Sequence, residues 1–173
     1  MATNKLLGKY IDIIPAIIPV DLQTATNNGD YISLKNYEGV AIVLFKAIGT
    51  AGDDPVVTVT QAQDVAGTAV KALNAIDLVY TKQGALLTAV GVWTKLTQTA
   101  DTAIATDATS AELQAVWYVE IDARSLDVAN GFDCIKVAVA DVGTNAQLGC
   151  ALYIPYGLRF QAAPENLQSG IID

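Results

Sequence analysis

Between residues 115 and 123 the chain reads AVWYVEIDA. Trp117, Val119 and Ile121 share one face of this stretch, and Tyr118, Glu120 and Asp122 share the other. A strict two-residue period fits a half-buried strand, because a helix would scatter these side chains around its circumference. The pattern recurs. In residues 55–61 Val57 and Val59 oppose Thr58 and Thr60, and in residues 132–139 Ile135, Val137 and Val139 point inward with Lys136 outward. Residues 76–82 place Ile76, Leu78 and Tyr80 on one face. Residues 148–154 do the same with Leu148, Cys150, Leu152 and Ile154. Residues 91–98 set Val92 and Leu96 against Trp93 and Lys95. The run VAIVLFKAI, residues 40–48, is nearly all apolar and predicts a central strand buried on both faces. Residues 20–23 and 31–34 are shorter candidates.

Turn-forming residues punctuate these runs at 27–30 (NNGD), 49–55 (GTAGDDP), 130–131 (NG) and 142–145 (VGTN). Ser110 is placed to cap a helical turn over residues 110–114. Recurrent amphipathic helices between strands, which a βαβ fold requires, are missing. The prediction is therefore an all-β fold, an antiparallel β-sandwich of jelly-roll-like form with an extended N-terminal arm. Residues 20–160 form the sandwich. Residues 1–19 are apolar, broken by Pro15 and Pro19, and read either as an arm laid on a neighbouring chain or as an edge strand. Residues 161–173 form a C-terminal tail, mobile or a second arm.

The residue inventory narrows the chemistry. Histidine is absent from the 173 residues, which removes Ser-His-Asp and Cys-His nucleophile systems and the commonest nitrogen ligand of zinc. Cys134 and Cys150 are too few for a Cys₄ site or a disulfide framework. They read as reduced thiols of a cytosol-made chain, with one cross-strand bridge as the alternative. No phosphate-cradling glycine motif is present. Glu120 and Asp122 are the best carboxylate pair for hydrolytic chemistry, but an alternating strand needs a polar side, and a solvated face explains them more simply. Asp53 and Asp54, with Asp64 beyond them, lack the spacing of a calcium loop and read as a turn before Pro55. Asp101 and Asp107 read as loop residues. The expectation is a non-enzyme with no cofactor and no metal.

Charge and hydropathy narrow the partners. The formal net charge is −8, and the basic residues are scattered singly. Such a chain repels nucleic acid and anionic membranes. Lys5 and Lys9 frame only Leu6, Leu7 and Gly8, so no signal peptide is expected, and no apolar run reaches membrane-spanning length. Hydrophobic residues make up 52% of the chain against 16% charged, which points to apolar surface covered by other protein. Candidate contact residues are Leu6, Leu7, Tyr10, Ile13, Ile14, Ile17 and Ile18 near the N-terminus, Trp93, and the cluster Tyr153, Tyr156 and Phe160. A carbohydrate platform on Tyr153, Tyr156 or Trp93 is the alternative, with packing the default.

Three segments carry a family resemblance: NNGDYISLKNYEGVAIVL from residue 27, GTAGDDPVVTVTQAQDVAGTAVKALN over residues 49–74, and SLDVANGFDCIKVAVADVGTNAQLGCALYI over residues 125–154. They resemble tailed-bacteriophage virion structural proteins, in particular head-decoration (cement) and minor head proteins. The likeness covers most of residues 20–160 and consists of strand-and-turn patterns. It implies a virion protein assembled in the host cytoplasm, partnered by the major capsid protein on the outside of the shell. It also implies a homo-oligomer, with a trimer favoured. A tail, neck or fibre-base component is the second role it allows. No residue is carried over from it.

Overall fold

A computed structural model describes residues 7–86, 92–105, 110–141 and 143–171. Among these, the regular structure is eleven β-strands and a few single turns of 3₁₀ helix. The strands are β1 (Ile14–Asp21), β2 (Asn27–Asn28), β3 (Ile32–Ser33), β4 (Gly39–Lys46), β5 (Val57–Ala62), β6 (Lys71–Ala72), β7 (Ile76–Gly84), β8 (Thr94–Asp101), β9 (Gln114–Asp122), β10 (Cys134–Val139) and β11 (Leu148–Tyr156). Every pairing between them is antiparallel. One sheet has six strands in the order β1-β11-β4-β9-β7-β8. The other runs β2-β10-β5-β6, with β3 also pairing β10. The two sheets pack face to face as a β-sandwich, as the alternation predicts.

The core lies between the sheets. Val40, Ile42 and Leu44 of β4 and Trp117, Val119 and Ile121 of β9 meet Val57 and Val59 of β5 and Ile135, Val137 and Val139 of β10. Each set alternates with side chains pointing away from the core, which is why period two marked these strands so clearly. β4 is central, flanked by β11 and β9. Its outward side is less buried than its apolar sequence implies: Ala41 is buried, Val43 half-buried and Phe45 exposed.

Two strands face opposite to the simplest reading. In β11 the core receives Ala151 and Tyr153, and the outer side carries Leu148, Cys150, Leu152 and Ile154. Register explains it. Tyr153 pairs with Ile42 and Ala151 with Leu44, both core residues, so the bulkier set must point out. In β7, Thr81 sits opposite the buried Trp117 and Tyr80 opposite the outward Tyr118. Val79 and Thr81 therefore face in, while Tyr80 and Lys82 face out.

Local structure departs from expectation elsewhere. Asn27 and Asn28, inside an expected turn, pair with Val139 and Ala138 as β2. The expected strand over residues 91–98 lies later, as β8, and Gly91 falls outside the described residues. Ser110 is not a helix cap. Its hydroxyl donates to the Asp54 carboxylate, which also accepts from the Ala111 amide at 2.9 Å, and so the aspartate holds the turn. Asp53 likewise ties its loop to Asn145, accepting from the side-chain amide at 3.1 Å. Asp107 lies outside the described residues.

The described residues toward both ends lie on the domain. Residues 14–21 are the edge strand β1, paired to β11. Ahead of them Ile11 bridges Tyr156, and the Asp12 amide donates to the Pro155 carbonyl at 3.0 Å. In the C-terminal segment the Gly170 carbonyl accepts from the Ser33 amide at 2.7 Å, and Gln168 accepts from Asn36. No disulfide joins Cys134 and Cys150. Cys134 is buried with Tyr31 and Ala62 on the outer side of the five-stranded sheet, whereas Cys150 lies on the outer side of the other sheet.

Candidate interaction surface

The outward misfit of β7 and β11 has one cause: the outer face of the six-stranded sheet is apolar. Cross-strand pairing lays its side chains out in rows. One row runs Pro15, Leu152, Val43, Tyr118, Tyr80 and Lys95 from β1 to β8. The next runs Cys150, Phe45, Val116 and Lys82. A third holds Ile154, Ala41 and Glu120. Exposed Ile18 and Leu148 border the β11 end, and Pro19, Phe45, Leu148 and Cys150 line a depression of 290 Å³ there. The charged side chains Glu120, Lys82 and Lys95 lie on β9, β7 and β8, and the outward residues of β11 and β4 carry none. An antiparallel sheet with one solvated face ordinarily alternates apolar with polar; here a contiguous apolar patch replaces the polar side.

Toward β8 the face turns aromatic. The Tyr118 ring centroid is 6.1 Å from those of both Tyr80 and Trp93, at tilts of 43° and 49°. The three rings line a cavity of 330 Å³. The Lys82 ammonium sits 4.7 Å from the Trp93 ring centre, a cation–π contact that holds the half-exposed indole over the sheet. The Tyr118 hydroxyl donates to Glu120. Burial, then that carboxylate, pushes the phenol's pKa well above its ordinary value.

Asp122, on the same strand, is tied to its neighbour Arg124. Asp122 accepts from both the backbone amide and the guanidinium of Arg124, at 2.8 and 2.5 Å. Those bonds hold its pKa at about 2. A carboxyl kept ionised in this way cannot serve as a general acid near neutral pH.

Of the residues singled out from sequence, Trp93 joins the aromatic group, and half-buried Tyr156 ends β11 on the same outer side. Ile18 borders the face, exposed. So does exposed Ile13: Pro15 pairs with Leu152 and Ile11 with Tyr156, which sets Ile13 opposite Ile154. Leu7, Tyr10 and Phe160 are exposed, and Ile14 is half-buried against the core. Ile17 and Tyr153 are corrections: both belong to the domain's own core and present nothing to a partner. Leu6 lies outside the described residues. Sequence reasoning missed Val43, Phe45, Val116, Cys150 and Leu152. The available signal was that β4 and β11 are apolar at both parities.

Comparison with known proteins adds little. No family model matches the chain, and no curated protein is similar to it. Among solved structures, the infectious bursal disease virus Gx strain is matched over 92% of this chain and 43% of that one, at 11% identity and a TM-score of 0.26. The Gt strain is matched over 94% and 44%, at 12% identity and 0.22. The VP2 subviral particle of the same virus gives 94%, 44%, 12% and 0.20. The chain spans less than half the length of these structures. At such scores the likeness says nothing of what this chain binds or builds.

Proposed function

We propose that this chain is a non-enzymatic structural protein of a virus particle and that the outer face of its six-stranded sheet is covered by other protein chains. The observation that carries the reading is the row Leu152, Val43, Tyr118 and Tyr80 with its neighbour Cys150, Phe45 and Val116. Leaving such a face in water forfeits about 25 cal/mol per Å² of apolar area that a partner could cover. The resemblance of residues 27–44, 49–74 and 125–154 to phage head-decoration proteins supplies the finer form: the chain binds the outside of a phage capsid and stabilises it by bridging capsomers. The net charge of −8 suits a surface that meets protein and avoids nucleic acid.

The test mixes the purified chain with shells of its phage prepared without it. Expected are binding, a higher shell melting temperature, and protection of Cys150 from alkylation. Phe45→Glu should abolish all three while leaving the chain's own melting temperature within about 2 °C, since the side chain already lies outside the core. Absence of binding, or binding that leaves Cys150 as reactive as before, sinks the proposal. A second reading rests on the Tyr80, Trp93 and Tyr118 cavity, whose tilted rings suit stacking on a sugar. A glycan array that lights up with the native chain and not with Trp93→Ala favours it.

A further inference from the structure

We propose that β8 pairs with β8 of a second copy of this chain, extending the six-stranded sheet across a twofold axis. A sheet edge exposes unpaired N–H and C=O groups, and proteins usually block it. β1, one edge of this sheet, is blocked: Pro15 and Pro19 remove two donors, and the pairing with β11 shifts register twice. The outer strands of the other sheet, β2 and β6, have two residues each. β8 is eight residues long, TKLTQTAD, without proline, and pairs only with β7 among the described strands.

Its sequence is complementary to itself. Only residues of one parity along an edge strand direct their backbone groups outward, so two identical antiparallel strands pair about an axis that passes through a residue. The β7–β8 register shift adds an even number of residues to β8, since Thr97 pairs with Leu78 and Asp101 with Ile76, and parity is unchanged across it. With the axis at Gln98, Lys95 faces Asp101 of the second copy, Asp101 faces Lys95, Thr97 faces Thr99, and Leu96 faces Ala100. Centring on Thr97 instead would leave Asp101 unpaired. Lys95, Thr97, Thr99 and Asp101 are all exposed. Lys95 alone discourages a foreign strand, whereas self-pairing neutralises it twice. Cross-strand pairs of this kind, ionic and Thr–Thr, are the unit of sheet stabilisation. The contact is twofold and so differs from the trimer that the phage resemblance implies.

Sedimentation equilibrium of the full chain should show a dimer. Lys95→Glu replaces two attractive pairs with two repulsive ones and should raise the dissociation constant about tenfold or more. The swap Lys95→Asp with Asp101→Lys should restore it to within about threefold. In a Cys150→Ser background, Thr97→Cys mixed with Thr99→Cys should cross-link on oxidation, and neither should cross-link alone. A chain monomeric at every concentration, a dimer indifferent to Lys95→Glu, or cross-linking of Thr97→Cys with itself overturns the proposal. Self-association abolished by Phe45→Glu and untouched by Lys95→Glu also overturns it. None of these outcomes bears on shell binding through the apolar face.

Discussion

Tyr153 offers the sharpest test of how the sandwich is held together. Its ring lies in the core on β11, and its hydroxyl crosses to the other sheet. There it accepts from the Val137 amide at 2.8 Å and donates to the Asp30 carbonyl at 3.1 Å. The location explains the need. β10 pairs with β3 at residues 134–135 and with β2 at 138–139, and the strand between them is interrupted at Gly29 and Asp30. The phenol fills that gap in the ladder. Tyr153→Phe keeps the ring and leaves the buried Val137 N–H without its partner, at a cost of about 1–3 kcal/mol. For a chain of this size, 2 kcal/mol corresponds to a melting temperature lower by about 4–8 °C. Chemical denaturation should show the loss at an unchanged m-value, because no surface is added. The pH dependence is a second readout. Burial keeps this phenol protonated well above the pH, about 10, at which a tyrosine of the unfolded chain ionises. Above that pH the unfolded state binds fewer protons, so stability falls by about 1.4 kcal/mol per pH unit on this group's account. Tyr153→Phe should lack that part of the alkaline slope, while Tyr118 and Tyr156, also raised by burial, keep theirs. A loss below about 0.5 kcal/mol, or an alkaline slope equal to that of the native chain, would refute the reasoning.

Lys46 is buried, and its ammonium donates to the carbonyls of Ser110 and of Leu113, the latter at 2.7 Å. Lys46→Met should cost about 1–3 kcal/mol in denaturant melts, by orphaning those carbonyls. Gly149 faces the core, and a Cβ there would fall 2.5 Å from Leu22 Cδ1 and 3.1 Å from the Phe45 carbonyl oxygen. Gly149→Ala should therefore lower stability by about 1–3 kcal/mol through overpacking. An NMR titration of Asp122 should give a midpoint at about 2, and Arg124→Ala should move it up toward the ordinary carboxylate range. Since the folded value is depressed, the Arg124 contribution to stability is present at neutral pH and disappears as pH falls through that midpoint.

The sandwich was legible because β5, β9 and β10 separate apolar from polar side chains residue by residue. Period two there reports both strand and orientation. β7 and β11 show the limit of that signal. Leu148, Leu152 and Tyr80 are larger than Ala151, Val79 and Thr81, so size alone assigns them to the interior; only the pairing with β4 and β9 reverses it. The same reversal hid the apolar face, which depends on which residues of four strands become neighbours. Tyr153 was misplaced for a related reason. Its neighbours Tyr156 and Phe160 suggested a surface cluster, and nothing in a linear sequence reveals a ladder gap on the opposite sheet that a phenol can fill. The edge-strand reading of residues 1–19 was open in sequence but could not be separated from an arm, since prolines are compatible with both.

Those prolines have a further consequence. A strand that can be joined on both sides is a seed for a fibre, because each added copy offers a fresh edge. With Pro15 and Pro19 at one margin of the sheet and β8 at the other, a copy that joins through β8 presents only its own proline margin outward. Growth stops at two. The prolines thus act as a chain terminator for assembly, and replacing both with Val or Thr is the change that would convert a closed pair into an open polymer.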